Sequence, residues 1–283
     1  MLANATEMLK NAKENKYAIA HFNINNLEWT RFILEEVEAN QSPVILGVSE
    51  GAAKYMGGFY TVSCLVRALM YDLKTTVPVA LHLDHGSSVE SCYAAIDAGF
   101  TSVMIDASKY SLEENIRMTK EVVHYAHSKG VSVEAEVGHI GGSEDNVSSS
   151  VAYCEVADAV ELAQTTGIVF FAPALGSVHG IYKGEPKLDF DRMQEIAKLT
   201  NLPLVLHGGS GIPDEMIQKG IACGICKLNI NTDLQIVWSK AVREFLQENE
   251  SVYDPRKIIK AGEQALKAEV RKKLELLGSM QKA

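Results

Sequence analysis

The chain has 283 residues, 47% of them hydrophobic and 22% charged, with a net charge of −9 at pH 7. That balance supports a large core and argues against nucleic acid as the main partner, because no basic block offsets the acidic surface. No apolar run approaches the roughly 20 residues that span a bilayer, and the N-terminal segment lacks both the apolar core and the cleavage site of a secretory signal, so a cytoplasmic protein without membrane contact is expected.

Eight β-like runs follow one another, at 17–24, 43–50, 78–85, 102–108, 132–138, 168–174, 202–208 and 226–232. Between them lie segments of helical period, among them 27–40, 61–74, 88–99, 113–130 and 190–200. Strands alternating with helices of this length indicate βα units and a parallel sheet. Eight such units predict a single α/β domain over 1–283, a (β/α)8 TIM barrel. The tail carries extra helical pattern in 265–278, read as lying outside the barrel and available for packing between copies. The Gly/Ser-rich stretch 138–150 after the fifth strand reads as a mobile loop. Five cysteines, odd in number and scattered, suit reduced thiols; Cys223 and Cys226 form a CxxC with no second pair to complete a zinc cage.

Three histidines stand where strands are expected to end: His85 in LHLDHGSS, His179 in APALGSVHGIY and His207 in LPLVLHGGSG. In a parallel barrel the C-terminal strand ends carry the active site, so imidazoles far apart in sequence would converge there. Three neutral nitrogens with an open fourth position describe a catalytic zinc site. Asp84 places a carboxyl group beside that metal, and further polar residues, including Asn23, Ser49, Asp106, Glu134 and Glu136, fall at the same level. A satisfied core histidine explains any one of the three; their joint placement does not fit that explanation.

After strands 7 and 8, Gly208, Gly209 and Ser210, with Asn229, Ile230, Asn231 and Thr232, are candidates to hold a phosphate, and Gly180 and Lys183 stand near enough to add a backbone donor and a charge. The helix beginning in IPDEMIQKG is expected to turn its first N–H groups toward that anion. Glycine for turn geometry alone is the alternative at HGGSG. Glu144 and Asp145 lie on the polar stretch after strand 5, either in a solvated turn or on a lid that delivers a carboxylate.

Taken together, LHLDHG, VMIDAS, VEAEVGxxGGxED, APALGSVHG, LPLVLHGGSGIP and KLNINT resemble the class II, zinc-dependent fructose-bisphosphate aldolases and their tagatose-bisphosphate relatives, over effectively the whole chain. The resemblance implies reversible cleavage of fructose 1,6-bisphosphate to dihydroxyacetone phosphate and glyceraldehyde 3-phosphate through a zinc-stabilised enediolate. It implies His85, His179 and His207 as zinc ligands and Asp84 as proton donor. Asp106 and Glu136 match a second or alternate metal position, and whether a further divalent or a monovalent cation binds is left open. Gly180, Gly208–Ser210 and Asn229–Thr232 match the dihydroxyacetone phosphate segments, and Glu144 matches the mobile-loop base. The partners implied are phosphorylated ketoses and trioses and further copies of the chain, as a homodimer or homotetramer. His21 and His139 depart from the family's usual residues. Remaining rivals are cleavage of tagatose 1,6-bisphosphate or 6-phospho-5-dehydro-2-deoxygluconate, a Schiff-base aldolase using Lys227, and a barrel that only binds a sugar phosphate.

Overall fold

The computed structural model describes residues 2–138, 153–182 and 184–283, together with the backbone of Gly141–Glu144 and Val147–Ser149. In chain order it runs α1 (Ala5–Glu14), β1 (Ile19–Asn23), α2 (Leu27–Ala39), β2 (Val44–Ser49), α3 (Glu50–Tyr55), α4 (Phe59–Asp72), β3 (Val79–Gly86), α5 (Val89–Asp97) and β4 (Ser102–Ile105). There follow α6 (Leu112–His127), β5 (Ser132–Val137), β6 (Gly141–Glu144), β7 (Val147–Ser149), α7 (Val156–Thr166), β8 (Phe170–Pro173) and β9 (Val178–His179). The last elements are α8 (Phe190–Thr200), β10 (Leu204–Leu206), α9 (Asp214–Ala222), β11 (Ile225–Ile230), α10 (Thr232–Glu248), α11 (Pro255–Lys260) and α12 (Glu263–Leu277).

Eight strands close into a parallel barrel in the order β1-β11-β10-β8-β5-β4-β3-β2, the expected TIM barrel. Strands of such a sheet are covered on both faces, which is why they read as continuous apolar runs. The helices between them begin where a side chain can accept the first free N–H groups. Asn26 caps α2, Ser88 caps α5 and Ser111 caps α6, each accepting from a backbone N–H three residues on. The C-terminal pattern forms the helix expected outside the barrel. Helix α12 is not an appendage: Leu266, Val270, Leu274 and Leu277 are buried, and the helix packs on α2, α9, α10 and β1. Each such leucine or valine contributes about 1.5–3 kcal/mol of burial, which holds the helix to its own barrel.

A departure from expectation follows strand β5. The backbone of 141–144 pairs antiparallel with 147–149 as a hairpin, and β6 pairs parallel with β9 through Gly141↔Val178 and Gly142↔His179. The stretch expected as a loop therefore forms a small three-stranded sheet above the barrel. Its glycines were read as loop-forming, yet β6 is completed by a partner strand that sequence periodicity does not show.

Candidate active site

The mouth of the barrel holds a cavity of about 540 Å³ at the C-terminal strand ends. Among the predicted residues, Asn23, Ser49, Asp84, His179, Gly180, Gly208, Ser210, Asn229, Asn231 and Thr232 line it.

Strand β3 solves a geometric problem posed by its own sequence. Neighbours in a regular strand point to opposite faces, yet Asp84 and His85 are both wanted at the mouth. The pairing with β4 shifts register between Leu83↔Val103 and Gly86↔Ile105, and His85 adopts φ 49°. This bulge re-aims the second side chain. A non-glycine residue held in the left-handed region costs on the order of 1–3 kcal/mol.

The three histidines do converge. Ring centroids are 4.6 Å apart for His85 and His207, 5.0 Å for His85 and His179, and 5.7 Å for His179 and His207. One ligand atom from each lies within 4.8 Å of the others. His179 reaches the group differently from expectation: it sits on β9 of the small sheet, not at the end of a barrel strand.

Carboxylates fix two of the imidazoles. His85 Nδ1 lies 2.9 Å from Oδ2 of Asp106, and His207 Nε2 lies 2.8 Å from Oε1 of Glu134. Donation at those atoms leaves Nε2 of His85 and Nδ1 of His207 as acceptors, and these two are 2.9 Å apart. Two lone pairs at that distance repel unless a proton or a metal ion lies between them. Tetrahedral zinc, with Zn–N near 2.0–2.1 Å, sets ligand nitrogens about 3.3 Å apart. The donor set fits a metal with only a small spreading of the rings. Burial and the charge of nearby His85 push His207 well below the usual imidazole range, so it is neutral as a ligand must be. At His85 burial opposes the charged form, but the hydrogen bond donated to Asp106 and the charges of Asp84, Asp106 and Glu136 outweigh it and raise the imidazole well above normal, so without a metal a proton on Nε2 occupies the place of the ion. His85, Asp106 and Glu136 make a second group that could hold an ion, sharing His85 with the first.

Behind His207 lies a buried chain that the motifs did not assign. Lys227 Nζ donates to Oε2 of Glu134 and to Oδ1 of Asn229, both at 2.8 Å, and all the Glu134 and Lys227 side-chain surface is buried. Glu134 thereby orients a ligand, and Lys227 neutralises Glu134. A lysine so engaged does not face the cavity, which removes Lys227 as a Schiff-base lysine. The alternation Glu134, Glu136 on β5, both buried polar residues on one face, was the available signal.

Asp84 is buried and accepts from Nδ2 of Asn23 at 2.8 Å and Nδ2 of Asn229 at 3.2 Å. Burial would raise its pKa, but the neighbouring His21, His85 and His207 hold the carboxyl well below its ordinary range.

Asn231, Thr232 and Gln235 at the start of α10 line the cavity, whereas α9, the helix expected to face an anion, opens at Pro213 and lines a separate shallow groove. Ser210 Oγ accepts from the backbone N–H of Asp233 at 3.1 Å and sits at the start of α10. Gly209 is packed against Leu228, where an added Cβ would lie 2.6 Å from a side-chain carbon, and Ile230 is fully buried in the core. Neither lines the cavity. Lys183, His139, Asp145 and the side chain of Glu144 lie outside the described residues. The backbone places Glu144 at the end of β6, two residues beyond the partner of His179.

Comparison with known proteins finds relatives over the whole chain. The family model described as fructose-bisphosphate aldolase class-II matches residues 3–282. A fructose-bisphosphate aldolase of Geobacillus stearothermophilus is 59% identical over 283 residues, covering 100% of this chain and 99% of the relative. One from Staphylococcus aureus is 56% identical with the same coverage. Among solved structures, the YdjI aldolase from Escherichia coli K12 superposes with a TM-score of 0.85 at 34% identity, covering 100% of both chains. Over its whole length, the chain belongs to the class II fructose-bisphosphate aldolase family.

Proposed function

We propose that the protein is a zinc-dependent aldehyde-lyase that reversibly cleaves fructose 1,6-bisphosphate to dihydroxyacetone phosphate and glyceraldehyde 3-phosphate. The observation that carries this reading is the pair of carboxylate-held imidazoles, His85 and His207, facing each other across 2.9 Å beside His179 and Asp84. His85, His179 and His207 would hold the ion, and Asp106 with Glu136 and His85 would offer an alternate position. Zinc, when bound, supplies the positive charge that polarises the substrate ketone.

The remaining work falls to the chain. The backbone N–H groups of Gly180, Gly208 and Ser210, with Asn229 and with Asn231 and Thr232 at the start of α10, hold one phosphate at the positive end of that helix. Lys183 adds a charge there. Anchoring the phosphate fixes the reacting carbon against Asp84 and removes most of the orientational entropy. Asn23 and Ser49 line the opposite wall. Glu144 removes the proton from dihydroxyacetone phosphate in the condensation direction. Asp84 protonates the aldehyde oxygen as the new bond forms, and takes that proton back in cleavage. The same reading places the enzyme in the cytoplasm as a homodimer or homotetramer.

The substrate is tested by cleavage assays with fructose 1,6-bisphosphate, tagatose 1,6-bisphosphate and 6-phospho-5-dehydro-2-deoxygluconate at equal concentration. The highest kcat/KM is expected for the first, and a higher value for either of the others overturns the assignment. Glu144→Ala separates the base from the binding groups. The variant should bind dihydroxyacetone phosphate with near-normal affinity, while exchange of its C–H proton with solvent deuterium slows by a factor on the order of 10² or more. Exchange at the normal rate would move the role to Glu136 or Asp84.

A further inference from the structure

Beneath Asp84 the barrel interior contains an imidazole with no evident task. His21, on β1, is fully buried, and neither ring nitrogen has a hydrogen-bond partner in normal geometry. Leaving a buried polar atom unpaired costs about 1–3 kcal/mol, so a core built for stability alone would place an apolar side chain there. The surroundings are shaped to the ring. On the neighbouring strand β2, a Cβ at Gly47 would lie 1.6 Å from His21 Nε2, so only glycine leaves room for it. His82 presents its ring to His21 edge-on, with centroids 5.5 Å apart, and is itself held by Ser102 at 2.7 Å.

Among the described residues, the acceptor that His21 approaches is Oδ2 of Asp84, 3.5 Å from Nε2. The same oxygen receives the Asn23 amide at 2.8 Å, while Oδ1 receives that of Asn229 at 3.2 Å. Burial, the largest influence on His21, keeps the imidazole below its usual pKa and therefore neutral. A neutral ring with its hydrogen on Nε2 can donate only toward Asp84.

We propose that His21 is a positioning residue for Asp84: its Nε2–H is the third donor around the carboxyl group, holding Oδ2 in place as the proton leaves and returns. The distance of 3.5 Å is long; the contact is made to the carboxylate and is lost while Asp84 holds the proton that it gives to the aldehyde oxygen. A hydrogen bond to a charged group is stronger than one to a neutral group, so the contact favours the state that follows proton transfer. No bond is made or broken at His21 itself. Gly47 serves the same end by admitting the ring.

This inference rests on the reading of Asp84 as proton donor, and the test separates the two. The zinc-loaded enzyme, His21→Met, His21→Gln, Asp84→Asn and the double variant His21→Met/Asp84→Asn are compared in fructose 1,6-bisphosphate cleavage. His21→Met should lower kcat about tenfold, the effect of one hydrogen bond to a charged group, with KM little changed. His21→Gln, whose amide can donate at the same place, should recover most of that loss and keep the wild-type pH profile. In the Asp84→Asn background, His21→Met should add nothing further, since its effect passes through that carboxyl group.

Wild-type kcat in His21→Met, with Asp84→Asn slow, would overturn the role of His21 while leaving that of Asp84 intact. Full turnover in Asp84→Asn would overturn both. A shifted acid limb in His21→Gln would instead make His21 a titrating group. Two zinc ions per chain, falling to one in that variant, would make it a metal ligand; either result ends the positioning role. Nitrogen chemical shifts of His21 in the unaltered protein give a check that needs no variant: the Nε2–H tautomer is expected, and Nδ1–H would refute the proposal.

Discussion

His207→Ala is expected to lose zinc and activity together while the barrel stays folded. His207 is fully buried and is held from behind by Glu134 at 2.8 Å, so its Nδ1 is fixed in direction before any metal arrives. Removing it leaves a two-imidazole site with no carboxylate-braced partner for His85. Turnover should fall by a factor on the order of 10³ or more, since a catalytic metal supplies several kcal/mol of charge stabilisation. Glu134 loses one partner but keeps Lys227, so the stability cost is that of one unpaired buried acceptor, about 1–3 kcal/mol. Zinc per chain by atomic emission, cleavage rate and far-ultraviolet circular dichroism measured on one preparation decide the matter. A folded variant that retains stoichiometric zinc and normal turnover would remove the central claim about this site.

Asp84→Asn should behave in the opposite way toward metal and toward the half-reaction. The carboxyl is enclosed by amides from Asn23 and Asn229, and an isosteric amide keeps that volume filled. Zinc content should hold, while cleavage slows by a factor on the order of 10² to 10⁴, the range for a lost general acid or base. Deuterium exchange into dihydroxyacetone phosphate uses no aldehyde, so it should be spared here and lost in Glu144→Ala. Equal losses of exchange and cleavage in Asp84→Asn would show that one group performs both transfers.

The barrel was legible because strand and helix periods alternate cleanly, and the three histidines stood out because apolar runs precede them. What stayed hidden were features made by tertiary pairing. Asp84 and His85 are adjacent in sequence, and nothing local shows that a bulge with φ 49° at His85 lets both reach the mouth. His179 follows an apolar run, but its own two-residue strand gains a partner only when β6 comes alongside. Glu134 and Lys227 are separated by 93 positions and were read apart, although their ion pair is what orients His207. HGGSG leads directly into α9, but the cavity is lined by the start of α10 from across the next strand, a placement that sequence order does not show. The pattern in 265–278 reads as an exposed amphipathic helix until its apolar face is seen against α2 and β1.

The closure of the barrel has a consequence for how the molecule is made. Its first strand, β1, hydrogen-bonds to its last, β11, through pairs such as His21↔Asn229. A chain growing on the ribosome therefore carries two open sheet edges until residue 230 has emerged, and the cover that α12 gives to β1 waits for residues 263–277. Open parallel edges are sites for pairing with other chains, and contacts this distant in sequence form slowly. Asn229, Asn231, Thr232 and the Lys227 brace sit on that last barrel strand and at the start of the helix after it, so the nascent protein can fold most of its wall before the cavity is lined. Lining of the cavity and sealing of the sheet are one event.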